Sequence, residues 1–192
     1  MDNAQAPKLA LRDQLLTARG RQPLAEIAEN AHRLADIVSA LPEVTRAATV
    51  ALYVSVGREP GTGPLLHALH DAGKRVILPL LLPDNDLDWA VYRGDASLAS
   101  AARGLLEPTG SPLGVDAIAT ADVVIVPALA VSRDGMRLGR GGGSYDRALV
   151  RATGTVIGVV NTEEVLESVP HDAHDQRVDL IATPDGIRAA AR

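Results

Sequence analysis

Val123-Val-Ile-Val-Pro127 and Arg137-Leu-Gly-Arg-Gly-Gly-Gly-Ser-Tyr-Asp-Arg147 are the two stretches that decide the fold. The first predicts a buried strand, and the second predicts a loop that leads into a helix starting near Tyr145. A strand, a loop and a helix in this order place an anion at the N-terminus of the helix. We therefore interpret residues 137–147, called the glycine loop below, as a phosphate-binding loop.

The composition of the glycine loop favours a polyphosphate ligand. Its glycines allow positive φ angles and a close approach of the backbone, and their N–H groups can form a concave anion site. Arg137, Arg140 and Arg147 are forked, permanently charged donors that suit phosphate oxygens. Asp146 supplies a hard oxygen ligand of the kind that magnesium prefers. The alternative interpretation is a flexible surface loop with solvated arginines.

Two common phosphate motifs are excluded by the sequence of this loop. The pattern G-x-x-x-x-G-K-[ST] is absent. The dinucleotide fingerprint that would begin at Gly139-x-Gly141 requires a glycine where the chain has Ser144.

Apolar runs alternate with helical patterns along the rest of the chain, which predicts an α/β fold. Continuous runs of Val, Ile and Leu predict strands that are buried on both faces of a mainly parallel sheet. We expect a single three-layer domain over residues 1–192, with helices on both faces and with residues 1–7 flexible. Predicted helices cover residues 8–19, 24–41 and 64–71, predicted strands cover 47–54, 76–80, 87–92, 121–126, 155–160 and 178–182, and 94–116 is predicted to be loop.

Parallel strands end at one edge of a sheet, and ligands bind there. Glu59 follows the first predicted strand, the glycine loop follows the strand at 121–126, and Asn161 and Thr162 follow the strand at 155–160. We therefore expect these residues to meet at one edge.

Composition excludes several classes of function. The net charge of −5 argues against general affinity for nucleic acid, and the absence of cysteine excludes disulfides, thiolate metal sites and a cysteine nucleophile. No apolar run approaches the length that spans a bilayer, and the N-terminus lacks a signal-peptide core. We expect a cytoplasmic protein, monomeric or weakly oligomeric, that binds small molecules and neither nucleic acid nor membrane.

The stretch from Pro127 to Arg147 resembles the signature of the 5-formyltetrahydrofolate cyclo-ligase family. That family has a three-layer α/β fold related to sugar-phosphate isomerase and CoA-transferase folds. The resemblance implies an enzyme that uses ATP and Mg²⁺ to convert 5-formyltetrahydrofolate to 5,10-methenyltetrahydrofolate. Over residues 8–184 the other matches, in order, are Lys8-x-x-x-Arg12, Glu59-x-x-Thr62, Gly104-Leu-Leu-Glu107-Pro108, and His174-Asp175 followed by Val178-Asp179.

The resemblance also implies roles for individual residues. Lys8 and Arg12 contact ATP, together with the glycine loop at Arg137, Leu138, Gly139, Arg140, Gly141, Gly142, Gly143, Ser144 and Tyr145. Mg²⁺ is held by Asp146 and Asp175. The folate contacts Val54, Glu59, Arg140, Gly141, Gly142, Gly143 and Ser144, and the catalytic residues are Arg140, Tyr145 and Glu59.

Three assignments rest on weaker signals. Trp89 is either part of the core or a flat partner for the pterin of the folate. The cluster His171-Asp172-Ala-His174-Asp175 suits a transition metal or a polar turn, whereas the resemblance assigns only Asp175 to the metal. Ser144 stands where the family pattern has a tyrosine, which removes an aromatic face from the folate side.

Two other functions stay open on the sequence alone. One is a phosphosugar isomerase of the related fold, which would need neither ATP nor magnesium. The other is a folate- or nucleotide-binding relative that has lost turnover.

Overall fold

The computed structural model describes residues 5–191, in which helices and strands alternate. Most strands coincide with the short apolar runs of the sequence, and most helices with the segments whose apolar residues recur every three or four positions. The helices are α1 (Gln5–Arg21), α2 (Leu24–Ser39), α3 (Pro42–Arg46), α4 (Gly63–Asp71) and α5 (Ser144–Leu149). The strands are β1 (Thr49–Ala51), β2 (Arg75–Leu81), β3 (Leu87–Val91), β4 (Leu98–Ser100), β5 (Leu106–Pro108), β6 (Val123–Pro127), β7 (Ala130–Ser132), β8 (Arg137–Leu138), β9 (Thr155–Val159), β10 (Val165–Leu166), β11 (Leu180–Thr183) and β12 (Gly186–Ala189).

A seven-stranded sheet in the order β12-β11-β9-β6-β1-β2-β3 forms the centre of the molecule. Strands β11, β9, β6, β1 and β2 run parallel to one another. The two edge strands, β3 and β12, pair antiparallel. This arrangement confirms the predicted α/β fold with a mainly parallel sheet.

Alternate residues of the central strands enter two separate cores, one on each face of the sheet. Val50, Val123 and Ile125 pack with the apolar sides of α2 and α4. Ala51 and Val124 point the other way, into a core that includes Ala148 and Leu149 of α5. Successive residues of a strand point to opposite faces, and both faces are covered by a core. The strands are therefore apolar at consecutive positions.

Trp89 belongs to this second core and is 1% exposed. It lies on β3 opposite Pro79, and the same core includes Ile77 and Ile118. The predicted stacking of Trp89 against a substrate is therefore wrong, because its ring is enclosed by core side chains.

Several boundaries differ from those predicted. Helix α1 already begins at Gln5, so residues 5–7 are helical, and the rest of the predicted flexible segment lies outside the described residues. The helix predicted over 24–41 ends at Ser39, and Pro42 starts the short α3. Strand β2 extends to Leu81 and contains Pro79. It is tolerated there because the pairing with β1 covers only residues 75–77.

Two small sheets were not predicted. Residues 94–116, expected to be loop, contain the antiparallel pair β4 and β5. Between β6 and α5, a hairpin of β7 and β8 forms a three-stranded sheet with β10. The glycine loop thus begins with strand β8 of this hairpin and does not follow β6 directly.

The hairpin brings helix α1 to the glycine loop. Leu138 and Met136 form a third apolar cluster, against which Leu11 and Leu15 of α1 pack. This contact fixes the face of α1 that carries Lys8 and Arg12. Among residues 5–191, no helix has the length and apolarity needed to cross a membrane.

Candidate active site

A cavity of about 560 Å³ lies at the carboxyl ends of the parallel strands. Its walls come from α1, the segment after β1, the ends of β2 and β3, the glycine loop, and the loop before β11. The cavity is lined by the site residues that the family resemblance implies: Lys8, Arg12, Val54, Glu59, Arg137, Leu138, Gly139, Arg140, Gly141, Gly142, Gly143, Ser144, Tyr145, Asp146 and Asp175. Of the other candidates, Trp89, Arg147, Asn161 and Thr162 do not line it.

The glycine loop needs glycine at Gly141 and Gly143, whose φ angles are 102° and 70°. Residues other than glycine rarely adopt these backbone angles. Gly143 immediately precedes α5. Space is limiting as well, because a Cβ at Gly143 would lie 2.9 Å from Nη1 of Arg147. A Cβ at Gly139 would lie 2.7 Å from Nη1 of Arg137. The glycines therefore let arginine side chains lie against the backbone of the loop.

Arg12 and Lys8 connect helix α1 by hydrogen bonds to two sides of the cavity. Nε of Arg12 donates to the carbonyl oxygen of Gly139 at 2.9 Å. Nζ of Lys8 donates to Oδ2 of Asp175 at 2.6 Å and also to Asp172. The two predicted nucleotide contacts on α1 thus lie on one face, as their spacing of four residues requires.

The ion pairs of Lys8 shift the pKa values of both partners. Burial lowers the pKa of Lys8, but the hydrogen bonds to Asp172 and Asp175 outweigh it, so the pKa lies above its usual value. Burial raises the pKa of Asp175, yet the hydrogen bonds from Lys8 and from the Asp172 N–H bring it below its usual value. Both groups are therefore charged at neutral pH.

Asp146 pairs with Arg137 beneath the glycine loop. Nη2 of Arg137 donates to Oδ1 of Asp146 at 2.7 Å, and the backbone N–H of Gln176 donates to the same oxygen at 3.1 Å. The guanidinium also lies 5.8 Å from the ring centre of Tyr145. Asp146 therefore joins the glycine loop to the loop that carries Asp175.

Arg137 is more enclosed than its predicted role in nucleotide binding suggests. Its side chain is 3% exposed, although it lines the cavity. Its contacts with Asp146 and Tyr145 indicate that it orders the glycine loop from below.

Glu59 and Arg140 face each other across the cavity. Nε of Arg140 lies 3.3 Å from Oε1 of Glu59, and Oε2 of Glu59 accepts a hydrogen bond from the Val56 N–H at 2.9 Å. The side chain of Glu59 is 9% exposed, whereas that of Arg140 is 56% exposed. The carboxylate is fixed, and the arginine reaches it from the solvent side.

The loop that carries Glu59 is held closed by its own hydrogen bonds. The hydroxyl of Thr62 donates to the Tyr53 carbonyl at 2.7 Å and accepts from the Ser55 N–H at 2.9 Å. Gly61 lets this loop lie against α2, since a Cβ there would be 2.7 Å from Cβ of Ala31.

Arg19 and Glu164 form a buried ion pair that sequence reasoning missed. Nε of Arg19 donates to Oε1 of Glu164 at 2.6 Å, and Nη2 donates to the Ala128 carbonyl at 2.6 Å. The signal was present, because Arg19 lies seven residues after Arg12 on the same helical face. Asn161 was expected at the cavity, but it is buried against Glu164, whose carboxylate accepts from its N–H at 2.8 Å.

Tyr53 is a second residue that was not assigned to the site. It lines the cavity, and its buried hydroxyl has no hydrogen-bond partner within residues 5–191. Burial, and then the nearby Glu59 carboxylate, raise the pKa of Tyr53 well above its usual value, so the hydroxyl stays protonated. The pKa of Tyr145 is raised by the same two effects, burial and the Glu59 carboxylate.

His171 and His174 have different surroundings in the 171–175 segment. Over the described range 5–191, no group of three or more His, Cys, Asp or Glu side chains is arranged to hold a metal ion. His171 is hydrogen bonded to the Val169 carbonyl, and the His174 side chain is 72% exposed.

Comparison with known proteins places the chain in a family. The family model described as the 5-formyltetrahydrofolate cyclo-ligase family matches residues 4–184. The chain is 42% identical over 184 residues to 5-formyltetrahydrofolate cyclo-ligase of Mycolicibacterium smegmatis, covering 92% of this chain and 93% of that protein. It is 32% identical over 151 residues to 5-formyltetrahydrofolate cyclo-ligase of Escherichia coli strain K12, covering 76% of this chain and 83% of that protein.

A solved structure agrees with these matches. The NMR structure of Aquifex aeolicus 5,10-methenyltetrahydrofolate synthetase aligns with a TM-score of 0.84 at 30% identity, covering 96% of this chain and 93% of that chain. The chain belongs to the 5-formyltetrahydrofolate cyclo-ligase family.

Proposed function

We propose that this chain converts 5-formyltetrahydrofolate to 5,10-methenyltetrahydrofolate, with ATP as co-substrate and with ADP and phosphate as products. One observation carries the proposal. In a member of the cyclo-ligase family, a single cavity joins a glycine loop and the cations of α1 to a fixed carboxylate, Glu59. The first group suits a polyphosphate, and the second suits the nitrogens of a reduced folate.

The reaction needs an activated oxygen, since the oxygen of a formamide is a poor leaving group. Transfer of the γ-phosphoryl group from ATP to this oxygen gives an iminium phosphate at N5 and ADP. N10 of the folate then attacks the formyl carbon and loses its proton, a C–N bond forms, and the C–O bond breaks with release of phosphate. No covalent bond to the protein is required, which is consistent with a chain that lacks cysteine.

The residues of the chain act by position and by charge. Lys8, Arg12 and the backbone of the glycine loop hold the phosphates of ATP. Arg140 leaves Glu59 and turns toward the transferred phosphoryl group, where it neutralises charge. Glu59 accepts hydrogen bonds from the folate and stabilises the positive charge that develops at the closing ring. Tyr145 seats the nucleotide beside the loop.

The donor chemistry of the cavity fits Mg²⁺. Asp146 and Asp175 both line it, and the 172–176 loop joins them through the hydrogen bond from Gln176 to Asp146. Magnesium prefers carboxylate oxygens and keeps several waters, so two protein ligands are sufficient. The bound ion would neutralise charge on the phosphates, and the ion pairs with Lys8 and Arg137 hold the two carboxylates in place.

The direct test is an assay of the purified chain with 5-formyltetrahydrofolate, ATP and Mg²⁺. We expect the near-ultraviolet absorbance of the methenyl product to rise together with equimolar ADP and phosphate. Omission of ATP, or excess chelator, should abolish the signal. Binding of both ligands without turnover would instead identify a non-catalytic relative. Turnover of a phosphosugar without ATP would identify an isomerase.

A further inference from the structure

Arg103 has an unusual backbone conformation at the mouth of the cavity. Its φ is 60° and its ψ is 21°, a left-handed conformation that is uncommon for arginine. Asn85 is the other non-glycine residue in 5–191 with a positive φ, at 66°. Nη2 of Arg103 donates to Oδ1 of Asn85 at 3.1 Å, so the two strained residues are joined. Strain of this kind recurs at ligand sites, and this pair lies beside one.

The order of the strands places Arg103 far from the phosphate-binding end. Lys8 meets the loop that precedes β11, and Glu59 follows β1 in the middle of the sheet. Arg103 precedes β5, and β5 is fastened to the end of β2 because the Leu81 N–H donates to Glu107 at 2.9 Å. The cavity therefore runs from Lys8, past Glu59, to Arg103 at the β2–β3 edge.

The wall between Glu59 and Arg103 is apolar. It consists of Pro79, Leu81, Leu87 and Leu105, all of which line the cavity. The flat aromatic ring that joins the pterin of the folate to its glutamate tail would be covered by these side chains. Beyond them Arg103 is exposed, and it makes no ion pair with any residue from 5 to 191.

We propose that Arg103 binds the carboxylates of the glutamate tail of the folate where the tail leaves the cavity. The inference rests on the proposed function, because it takes the reacting ring to lie at Glu59. A guanidinium pairs with a carboxylate through two parallel hydrogen bonds, and Asn85 already holds one side of the fork. The Glu107 carboxylate accepts a hydrogen bond from the Leu81 N–H, and within residues 5–191 it forms no ion pair with Arg103.

The test compares two substrates across three variants. One substrate is 5-formyltetrahydrofolate, and the other is its analogue in which both glutamate carboxylates are carboxamides. The variants are Arg103→Gln, Arg103→Gly, and Arg93→Gln as a control at an exposed arginine outside the cavity. Glycine suits the left-handed conformation, so Arg103→Gly should fold with an equal or higher Tm.

We expect both Arg103 variants to raise the KM for the acid substrate roughly three- to five-fold, as loss of an exposed ion pair does. The KM for the carboxamide, the KM for ATP and kcat should stay unchanged, and Arg93→Gln should match the wild type. Any of three results overturns the inference: an equal rise in the KM for both folates, a rise in the KM for ATP instead, or an unchanged KM for the acid substrate. An absence of turnover in the wild-type chain would contradict the proposed function itself. This result is obtained before any variant is made.

Discussion

Arg140 reaches across the cavity to within 3.3 Å of Glu59, so a residue of the glycine loop contacts the carboxylate after β1. The pair connects the two halves of the site. One partner is fixed and almost buried, while the other is largely exposed and free to turn toward a phosphate. The two side chains therefore allow separate tests of folate and nucleotide handling.

Replacement of Glu59 by Gln should impair folate handling and spare nucleotide binding. The glutamine keeps the shape and the hydrogen bond from the Val56 N–H, but it cannot balance the charge that develops during ring closure. We expect kcat/KM for the folate to fall at least ten-fold, as about 1.5–3 kcal/mol for a charged hydrogen bond implies. Steady-state kinetics and nucleotide titration would measure this, with the exposed Glu29→Gln as a control. Wild-type cyclisation in the variant would remove Glu59 from the mechanism.

Replacement of Arg140 by Ala should weaken ATP use more than folate binding. Loss of a charge-assisted hydrogen bond costs about 1.5–3 kcal/mol, which corresponds to roughly ten- to a hundred-fold in kcat/KM for ATP. The folding stability should hardly change, because the side chain is 56% exposed. A suitable control is Arg133→Ala, which removes a surface arginine paired with Glu167. An unchanged ATP dependence would mean that Arg140 is only a solvated partner of Glu59.

Replacement of Asp146 by Asn should remove most activity in a protein that still folds. The variant loses a proposed magnesium ligand, and it leaves the charge of Arg137 unbalanced in a side chain that is 3% exposed. We therefore expect a stability loss of about 1–3 kcal/mol in addition to the loss of turnover. Denaturant unfolding and a magnesium titration separate the two effects, with the exposed Asp116→Asn as a control. Full activity in Asp146→Asn, or in excess chelator, contradicts the magnesium assignment.

The contact of Lys8 with Asp175 should make stability depend on pH in the acid range. The pKa of Asp175 is lowered from its usual 3.8, so its contribution is fully present above 3.8 and is lost as the pH falls through the folded pKa. The pKa of Lys8 is raised from 10.5, so its contribution is present below 10.5 and is lost only at higher pH. The stability difference between wild type and Lys8→Met should therefore be constant near neutrality and shrink below pH 3.8. Thermal melts across this range measure it, and a difference that persists in acid would show that Lys8 stabilises by packing alone.

The central sheet could be predicted because each parallel strand is a continuous apolar run, and because β1, β6 and β9 are buried on both faces. The hairpin of β7 and β8 could not be predicted, because strands of two or three residues are too short to show an alternation of apolar and polar residues. The sequence left the environment of Trp89 open between the core and the substrate, because the same ring suits a core and a pterin equally well. Only its position on β3, turned into the core, decides between them.

The candidate site could be predicted as a set of residues but not as a set of contacts. The glycine loop and Lys8-x-x-x-Arg12 have recognisable spacing, whereas the pairs Arg140–Glu59 and Lys8–Asp172 join segments far apart in the chain. The pair of Lys8 depends on how α1 packs on the hairpin, and the pair of Arg140 depends on how the glycine loop lies beside the segment after β1. No local pattern specifies either arrangement. Tyr53 was missed for a related reason, because a tyrosine in an apolar strand predicts core and gives no sign of a hydroxyl without a partner.

Replacement of Ser144 by Tyr should strengthen folate binding and leave nucleotide binding unchanged. Ser144 begins α5, lines the cavity and is partly exposed, so a larger side chain at this position has room to extend into the cavity. The family pattern that the sequence resembles has a tyrosine at this position, next to the residue retained here as Tyr145. A ring contact contributes roughly 1 kcal/mol, which would lower the folate KM a few-fold. Because Ser144→Phe supplies the same face without the hydroxyl, a comparison of the two variants separates stacking from hydrogen bonding. An equal or higher folate KM in both variants would show that another side chain already fills this space, and the apolar wall at Leu81 and Leu105 would then be the surface that covers the folate.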